Sequence, residues 1–433
     1  MDDKEYIGRL FDEILDFALK TKCAVVVEGP KWCGKTTTCE RHAKEKIDLM
    51  PLNTRNELIY EAKVAPHEFL TDREHPLLID EWQHVSFIWD QLKIEADQSR
   101  KFGQYLLTGS VTDRDVDDDF YKDMESRHTG NGRIIRKRMR TMSLYESKES
   151  NGTVSLQDIR NNKFRFAKSR MNIQDYAFCI CRGGWPLSIG QEEDVALQQA
   201  KDYYETLVTD DIFSLKSIRL IKDENKARKI LRSYSRNVSI AASDATLIED
   251  CVSNGESFDK ETFYKYLKAL DYLHVTEELP AWNPNVRSKT SIRTKPTRHF
   301  TDPSIAAAGL GLNPVSLFRN MDAFGLLFES MVIRDLRTYC EVIGARLYKY
   351  RDSKKREADA VIVFDDGSWA LIEVKLGGED DINKAAVKLL NISEDIDQEK
   401  TGRNSFLMII TKGNIAYRRE DGVYVVPLGC LKP

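Results

Sequence analysis

The chain has little of what marks a secreted, membrane-spanning or zinc-organised protein. Eight cysteines are spread over 433 residues, and the closest two, Cys179 and Cys181, do not form a C-x-x-C pair. That spacing gives neither a disulfide framework nor a zinc site, so a reducing cytosol is the expected compartment. No run of about 18 apolar residues occurs, which leaves no candidate for a membrane-spanning helix. The opening MDDKEYIGRL is acidic, unlike a signal peptide. Internal repeats and low-complexity linkers are absent. The net charge is only −4, so the total announces no nucleic-acid binder. A basic groove can still sit inside a near-neutral total.

What is present is a globular composition, 41% hydrophobic, long enough for about three domains of roughly 150 residues. From Tyr6 to Thr21, Ile7, Leu10, Phe11, Ile14, Leu15 and Ala18 recur at helical spacing. CAVVVEG, HPLLIDEWQ and GQYLLTGS read as buried strands separated by helical stretches, the pattern of a mostly parallel sheet covered by helices. An acidic stretch, Asp113 to Glu125, then gives way to the basic SRHTGNGRIIRKRMR.

Gly29-Pro30-Lys31-Trp32-Cys33-Gly34-Lys35-Thr36 fits G-x-x-x-x-G-K-[ST] between a predicted strand and a predicted helix. Glycines let the backbone wrap around phosphates with its N–H groups inward. The following helix adds a partial charge of about +0.5 at its N-terminus. Lys35 is expected to reach the β- and γ-phosphates of ATP. Thr36 is expected to ligate Mg²⁺, and Thr37 extends the loop's nucleotide contacts. Asp80 emerges at the end of LLID, where parallel sheets bind ligands, and suits Mg²⁺ held through water. Glu81 beside it suits polarising a water, which points to hydrolysis rather than transfer to a small acceptor. Thr108 or Ser110 is the expected sensor of the γ-phosphate. Arg127 or Arg133 would supply transition-state charge, in cis or from a neighbouring subunit.

From Lys168 the chain turns helical. NVSIAASDATLIEDC and SFDKETFYKYLKALDYLHVTEEL read as consecutive helices, the second capped by Ser257 or Asp259. The basic NVRSKTSIRTKPTRH follows at the position of a wing. Helix, turn, helix and hairpin is the order of a winged helix. Its second helix, with Lys265 and Lys268, would enter a DNA groove.

The end of the chain reads as an apolar helix followed by antiparallel strands. In EADAVIVFDDGSWALIEVK, Asp359 opens one strand, and alternation puts Glu373 and Lys375 on one face of the next. An Asp-Gly hairpin sets the two strands side by side. Glu329, on LLFESMVIRDL, is a natural fourth member. Glu329, Asp359 and Glu373 suit Mg²⁺, which would activate water at a scissile phosphate, and Lys375 would stabilise the developing charge. YRDSKKRE adds Arg351, Lys354, Lys355 and Arg356 as candidates for tracking a phosphate backbone.

EGPKWCGKTTT, LLIDEWQ, YLLTGS and HTGNGRIIRKRMRTMSLYES resemble the AAA-type ATPases of bacteria and archaea that carry an uncharacterised C-terminal domain. So do GGWP at Gly183–Pro186, LPAWNPNVRSKTSIRTKPTRHFTDPSIAAAGLGL, and FGLLFES with the RDLR and YRD that follow. The resemblance covers nearly the whole chain. It implies an ATP-binding domain, a helical and winged-helix middle, and a restriction-endonuclease-like end of the PD-(D/E)xK type.

The expectation is an α/β protein. Residues 1–150 form a P-loop ATPase domain, 151–300 a helical connector with a winged helix, and 301–433 a nuclease-like domain. It would hydrolyse ATP with Mg²⁺, engage DNA, stay off membranes and form homo-oligomers. A non-cutting, ATP-gated switch that binds DNA or a protein is the alternative.

Overall fold

The computed structural model describes residues 6–109, 132–215, 218, 222–252, 258–284, 295–352 and 354–433. Ser110, Arg127, Ser257, the acidic stretch Asp113 to Glu125 and most of the basic wing segment lie outside the described residues.

The first sheet holds β1 (Ala24–Glu28), β2 (Glu45–Asp48), β3 (Leu77–Asp80), β4 (Tyr105–Thr108) and β5 (Ile134–Arg138). Their order is β2-β3-β4-β1-β5, and every pairing is parallel. Alternation along β1 explains why both faces are covered. Val25 and Val27 pack with Phe11, Leu15 and Ala18 of α1 (Leu10–Thr21). Ala24 and Val26 face the opposite layer. That layer draws Ala62 from α3 (Leu52–Val64) and Trp89 and Leu92 from α4 (Trp89–Ser99). Between β1 and β2 runs α2 (Lys35–His42). The helix expected from Tyr6 begins at Leu10, where the Asp12 carboxylate accepts from the Arg9 amide at 2.7 Å.

The middle of the chain is helical: α5 (Ile173–Arg182), α6 (Glu193–Thr206), α7 (Glu224–Arg236), α8 (Asp244–Cys251), α9 (Lys260–Tyr272) and α10 (Pro303–Gly309). Asp259 caps α9, accepting from the Thr262 amide at 2.8 Å. After α9 the chain forms a hairpin-like pair of arms, bridged antiparallel at Thr276–Phe300 and Leu279–Thr297.

The third region is built on α11 (Met321–Val342) and an eight-stranded sheet. Its core is β9 (Ala345–Arg351), β10 (Glu357–Phe364), β11 (Trp369–Lys375), β12 (Asn404–Thr411) and β14 (Tyr424–Pro427), with α12 (Glu379–Asp395) crossing between β11 and β12. The strands β9, β10 and β11 are antiparallel, but β12 runs parallel to both β11 and β14. The expectation of antiparallel strands throughout is therefore corrected. A parallel neighbour needs a crossover, and α12 supplies it.

Strand pairing also runs across the expected boundary at 300. Within the nominal connector, β6 (Val154–Ser155) pairs with β15 (Leu431–Lys432), and β7 (Ala167–Lys168) pairs with β13 (Ile415–Arg418). On the opposite edge, β8 (Ala281–Trp282) joins β9. Short edge strands borrowed from distant sequence carry no periodicity of their own, so composition does not reveal them.

Several segments that carry the family resemblance meet at one buried carboxylate. Asp302 accepts from the Thr141 hydroxyl at 2.7 Å and the Gly184 amide at 2.9 Å, and lies 3.3 Å from Arg334. Arg334 also binds Asp335, whose other oxygen accepts from the Leu144 amide. These residues join the first domain to the rest of the molecule.

Candidate nucleotide site and C-terminal carboxylate centre

The loop from Gly29 to Lys35 leaves the C-terminal end of β1 and enters α2. Gly29 is required by close approach: a Cβ there would lie 2.2 Å from the Met139 carbonyl oxygen. Lys35 Nζ donates to the carbonyls of Gly29 and Pro30 at 2.9 and 2.8 Å. The Thr36 hydroxyl donates to Asp80 Oδ1 at 3.1 Å. Burial pushes the Asp80 carboxyl above its usual range, while Lys46, 3.0 Å away, and Thr36 pull it back. Thr36 and Asp80 thus offer the hydroxyl and carboxylate that suit Mg²⁺ beside a phosphate.

Glu81 follows Asp80 in the left-handed region, with φ 55°, and lines the same cavity as Lys35 and Thr36. Thr108, paired in register with Asp80, has a buried hydroxyl with no hydrogen-bond partner. Arg133 lies elsewhere. It precedes β5 at the opposite end of the sheet, bound to the Ala96 carbonyl and 3.0 Å from Asp97. A strand of five residues puts it roughly 16 Å from the loop, too far to act on the same protomer's phosphates.

The cavity over the loop measures about 1070 Å³. Its roof includes Pro186, Leu187 and the π-helical turn Leu207–Asp211 that continues α6. Such turns often mark functional positions. Lys31 of the loop reaches the roof, with Nζ 2.5 Å from Asp211 Oδ1. Trp32 packs edge-on against Tyr203, which stacks on Trp185 at 4.1 Å. Asp211→Asn should release Lys31 toward bound phosphate and tighten nucleotide affinity by about twofold to fivefold, the size of a half-exposed ion pair. A fluorescent-nucleotide titration checks this. A second cavity of about 500 Å³ adjoins the loop at Gly34 and Thr37 and is lined by Tyr6, Ile7, Pro186 and Ile189.

The C-terminal residues also come together. Asp359 Oδ2 accepts from the Val374 amide at 2.8 Å, and Lys375 Nζ lies 2.7 Å from Glu373 Oε1. Two lysines that sequence reasoning missed join them. Lys388 of α12 binds the same Glu373 oxygen, and Lys349 of β9 lies 3.5 Å from Glu329 Oε1. Burial, then the charge of Asp359, pushes Glu329 up to about 8, and the same two causes raise Glu373. Glu373 Oε2 is buried without a hydrogen-bond partner, which suits a cation. Yet among the described residues no three acidic, histidine or cysteine side chains form a group ready to hold a metal. The lysines already balance the carboxylates.

A polar seam runs from the phosphate loop to α11. Arg9 donates to the Cys33 carbonyl at 2.8 Å and to the Arg140 carbonyl at 2.7 Å. Arg140 clasps Glu277 through two nitrogens and reaches Glu341 of α11 at 3.0 Å. Arg138 donates to the Thr276 carbonyl at 3.0 Å, and Arg337 to that of Glu277. The phosphate loop, β5, the hairpin arms and α11 are thus one connected network.

The parallel sheet, the glycine-bounded loop and the Asp80–Thr36 pair are arranged as in a P-loop domain. Residues 21–148 match the AAA domain family. Residues 173–316 and 324–431 match two domains of unknown function, DUF8612 and DUF4143. No curated protein matches the sequence. Among solved structures, a Walker-type ATPase of Pyrococcus abyssi is 13% identical with a TM-score of 0.42, over 70% of this chain and 96% of that one. A signal transduction ATPase with numerous domains and a tetratricopeptide repeat sensor, from Pyrococcus horikoshii, is 11% identical with a TM-score of 0.20, over 78% of this chain and 48% of that one. Among the described residues no helix is long and apolar enough to cross a membrane.

Proposed function

We propose that the protein binds and hydrolyses ATP with Mg²⁺ and uses its nucleotide state to control DNA engagement by the rest of the chain. The observation that carries this is the convergence of Lys35, Thr36, Glu81 and Thr108 on one cavity roofed by the helical middle, with Asp80 hydrogen-bonded to Thr36. Lys35 holds the β- and γ-phosphates, and Thr36 with Asp80 holds Mg²⁺, which neutralises phosphate charge when bound. Glu81 takes the proton of the attacking water. The unpartnered Thr108 hydroxyl is a donor for the γ-phosphate. The smaller, half-apolar cavity beside Thr37 fits the base. A neighbouring copy is the proposed source of a transition-state arginine, since no arginine of the described residues lines the main cavity. Eight buried cysteines, none in a disulfide, suit the cytoplasm.

DNA engagement is assigned to the winged-helix reading of α8, α9 and the hairpin arms, and to the nuclease-like C-terminal sheet. The clustering of Glu329, Asp359, Glu373 and Lys375 supports metal-dependent cleavage. The lysines on Glu373 favour a second reading, a non-cutting ATP-gated switch, and no chemical step is derived through a metal there. Linear, circular and single-stranded DNA incubated with Mg²⁺ or Mn²⁺, with and without ATP, separates the two. Cleavage lost in both Asp359→Ala and Lys375→Ala establishes the nuclease. Absence of any cutting by protein that still hydrolyses ATP establishes the switch.

A further inference from the structure

Lys388 stands on α12, the helix that crosses from β11 to β12, and belongs to no motif read from the sequence. Ala385, Leu389 and Ile392 of that helix are buried against the sheet, and Lys384, one turn before Lys388, is exposed. Lys388 lies between these faces. Its side chain is 33% exposed, and its ammonium binds Glu373 Oε1. Lys375 Nζ meets the same oxygen at 2.7 Å. The other oxygen, Oε2, is buried with no hydrogen-bond partner among the described residues, on a side chain that is 1% exposed.

An ion pair that served packing alone would offer one donor to each oxygen. Here two ammonium groups crowd one oxygen and leave its twin bare, which sets the charge of a divalent cation at a single point of the carboxylate. Positive charges that close repel unless negative charge surrounds them. Asp359 and Glu329 supply it. Asp359 is pinned beside Glu373 by the Val374 amide at 2.8 Å, and Glu329 lies 3.5 Å from Lys349. Glu329, Asp359 and Glu373 are thus balanced by Lys349, Lys375 and Lys388 within one cluster.

We propose that Lys388 is a built-in counter-ion that holds the carboxylate centre closed to divalent cations, so that a metal enters only when α12 draws the ammonium away. The inference rests on the reading of Glu329, Asp359 and Glu373 as a centre built for a cation. Lys388 occupies lone pairs of Oε1 that a metal would need, and its charge repels the metal as well. Lys375 is fixed by β11, two residues beyond Glu373. Lys388 arrives from the crossover helix, so it can leave without disturbing the sheet. With Lys388 seated, the residues of the centre do not fit a metal.

The probe is Mn²⁺, titrated into the full chain without nucleotide and followed by its electron paramagnetic resonance signal. Lys388→Met keeps the apolar stem and removes the charge. It should bind Mn²⁺ through Glu373 about tenfold more tightly than wild type, or better, the scale of one neighbouring charge removed. The gain should vanish when Lys388→Met is combined with Glu373→Gln, a change that leaves any Mn²⁺ at Thr36 and Asp80 in place. Lys388→Arg retains the charge and should behave as wild type. The melting temperature of Lys388→Met should rise further with Mn²⁺ than that of wild type, so a variant weakened by loss of the pair still reports. If wild type holds Mn²⁺ as tightly as Lys388→Met and loses it in Glu373→Gln, the centre is open: the counter-ion role is wrong and the cation centre stands. If neither protein binds Mn²⁺ through Glu373, the carboxylates are no cation centre, and the inference falls with that reading.

Discussion

Lys35→Ala is expected to lower ATP turnover by about 10²–10³-fold, the loss measured when one preorganised donor is taken from a developing anion. The side chain is 8% exposed and its ammonium already lies over the carbonyls of Gly29 and Pro30. Of the other lysines lining the cavity, Lys31 is tied to Asp211 in the roof and Lys222 lies over the Phe213 ring. Nucleotide affinity should fall with the rate, because the charge acts on bound ATP as well as on the transition state. The folding midpoint should stay within a degree or two, since no carboxylate depends on Lys35. Phosphate release at saturating ATP, with a thermal melt of the same sample, tests both parts. Retained turnover would remove the loop from the chemistry altogether.

Arg140→Ala should act differently, destabilising the fold and disconnecting its parts. The guanidinium is clasped by Glu277 and Glu341, and the Glu277 side chain is only 12% exposed. Removing one partner of a buried pair costs about 3–5 kcal/mol; Arg138 and Arg337 remain near Glu277, so the lower end applies. Burial alone would raise the Glu277 carboxyl, but Arg140, Arg337 and Arg138 overcome it and hold the group well below its usual range. A carboxyl depressed in the folded state stabilises the fold above its unfolded value of about 4.3, and that contribution disappears as the pH falls through the folded value. Wild type should therefore lose stability steeply in acid, and the variant should show a flatter profile from a lower start. If DNA engagement and nucleotide state are coupled as proposed, ATP turnover should respond to DNA in the wild type and not in the variant. Melts across pH 3 to 7 (about the carboxylate range) and ATPase assays with and without DNA test this. A variant as stable and as DNA-responsive as wild type would rule the seam out as a coupling element.

The nucleotide site was legible because its chemistry is contiguous. Eight residues from Gly29 to Thr36, together with an Asp-Glu pair ending a strand, identify themselves wherever they occur. The tie between Lys31 and Asp211 was not legible: it depends on the turn after α6 folding over the loop. Lys388 was equally hidden, because a lysine on an amphipathic helix is indistinguishable from a solvated face until α12 lies on β11. Asp359, Glu373 and Lys375 could be read because a single hairpin brings them together. Whether Arg133 faces its own chain's loop was not legible, because the end of a parallel strand on which a residue sits decides what it can touch, and a basic run does not say where its strand begins.

The two sheets differ in when they can be completed during synthesis. The first draws its strands from Ala24 to Arg138, so it can close while most of the chain is still on the ribosome. The second takes an edge strand from Ala167–Lys168, another from Ala281–Trp282, and its last members from the final twenty residues. It can finish only after Tyr424–Pro427 has been made. Until then the nascent protein would carry a complete nucleotide pocket and an apolar helix, α11, without its sheet, the period in which a chaperone would find most to hold.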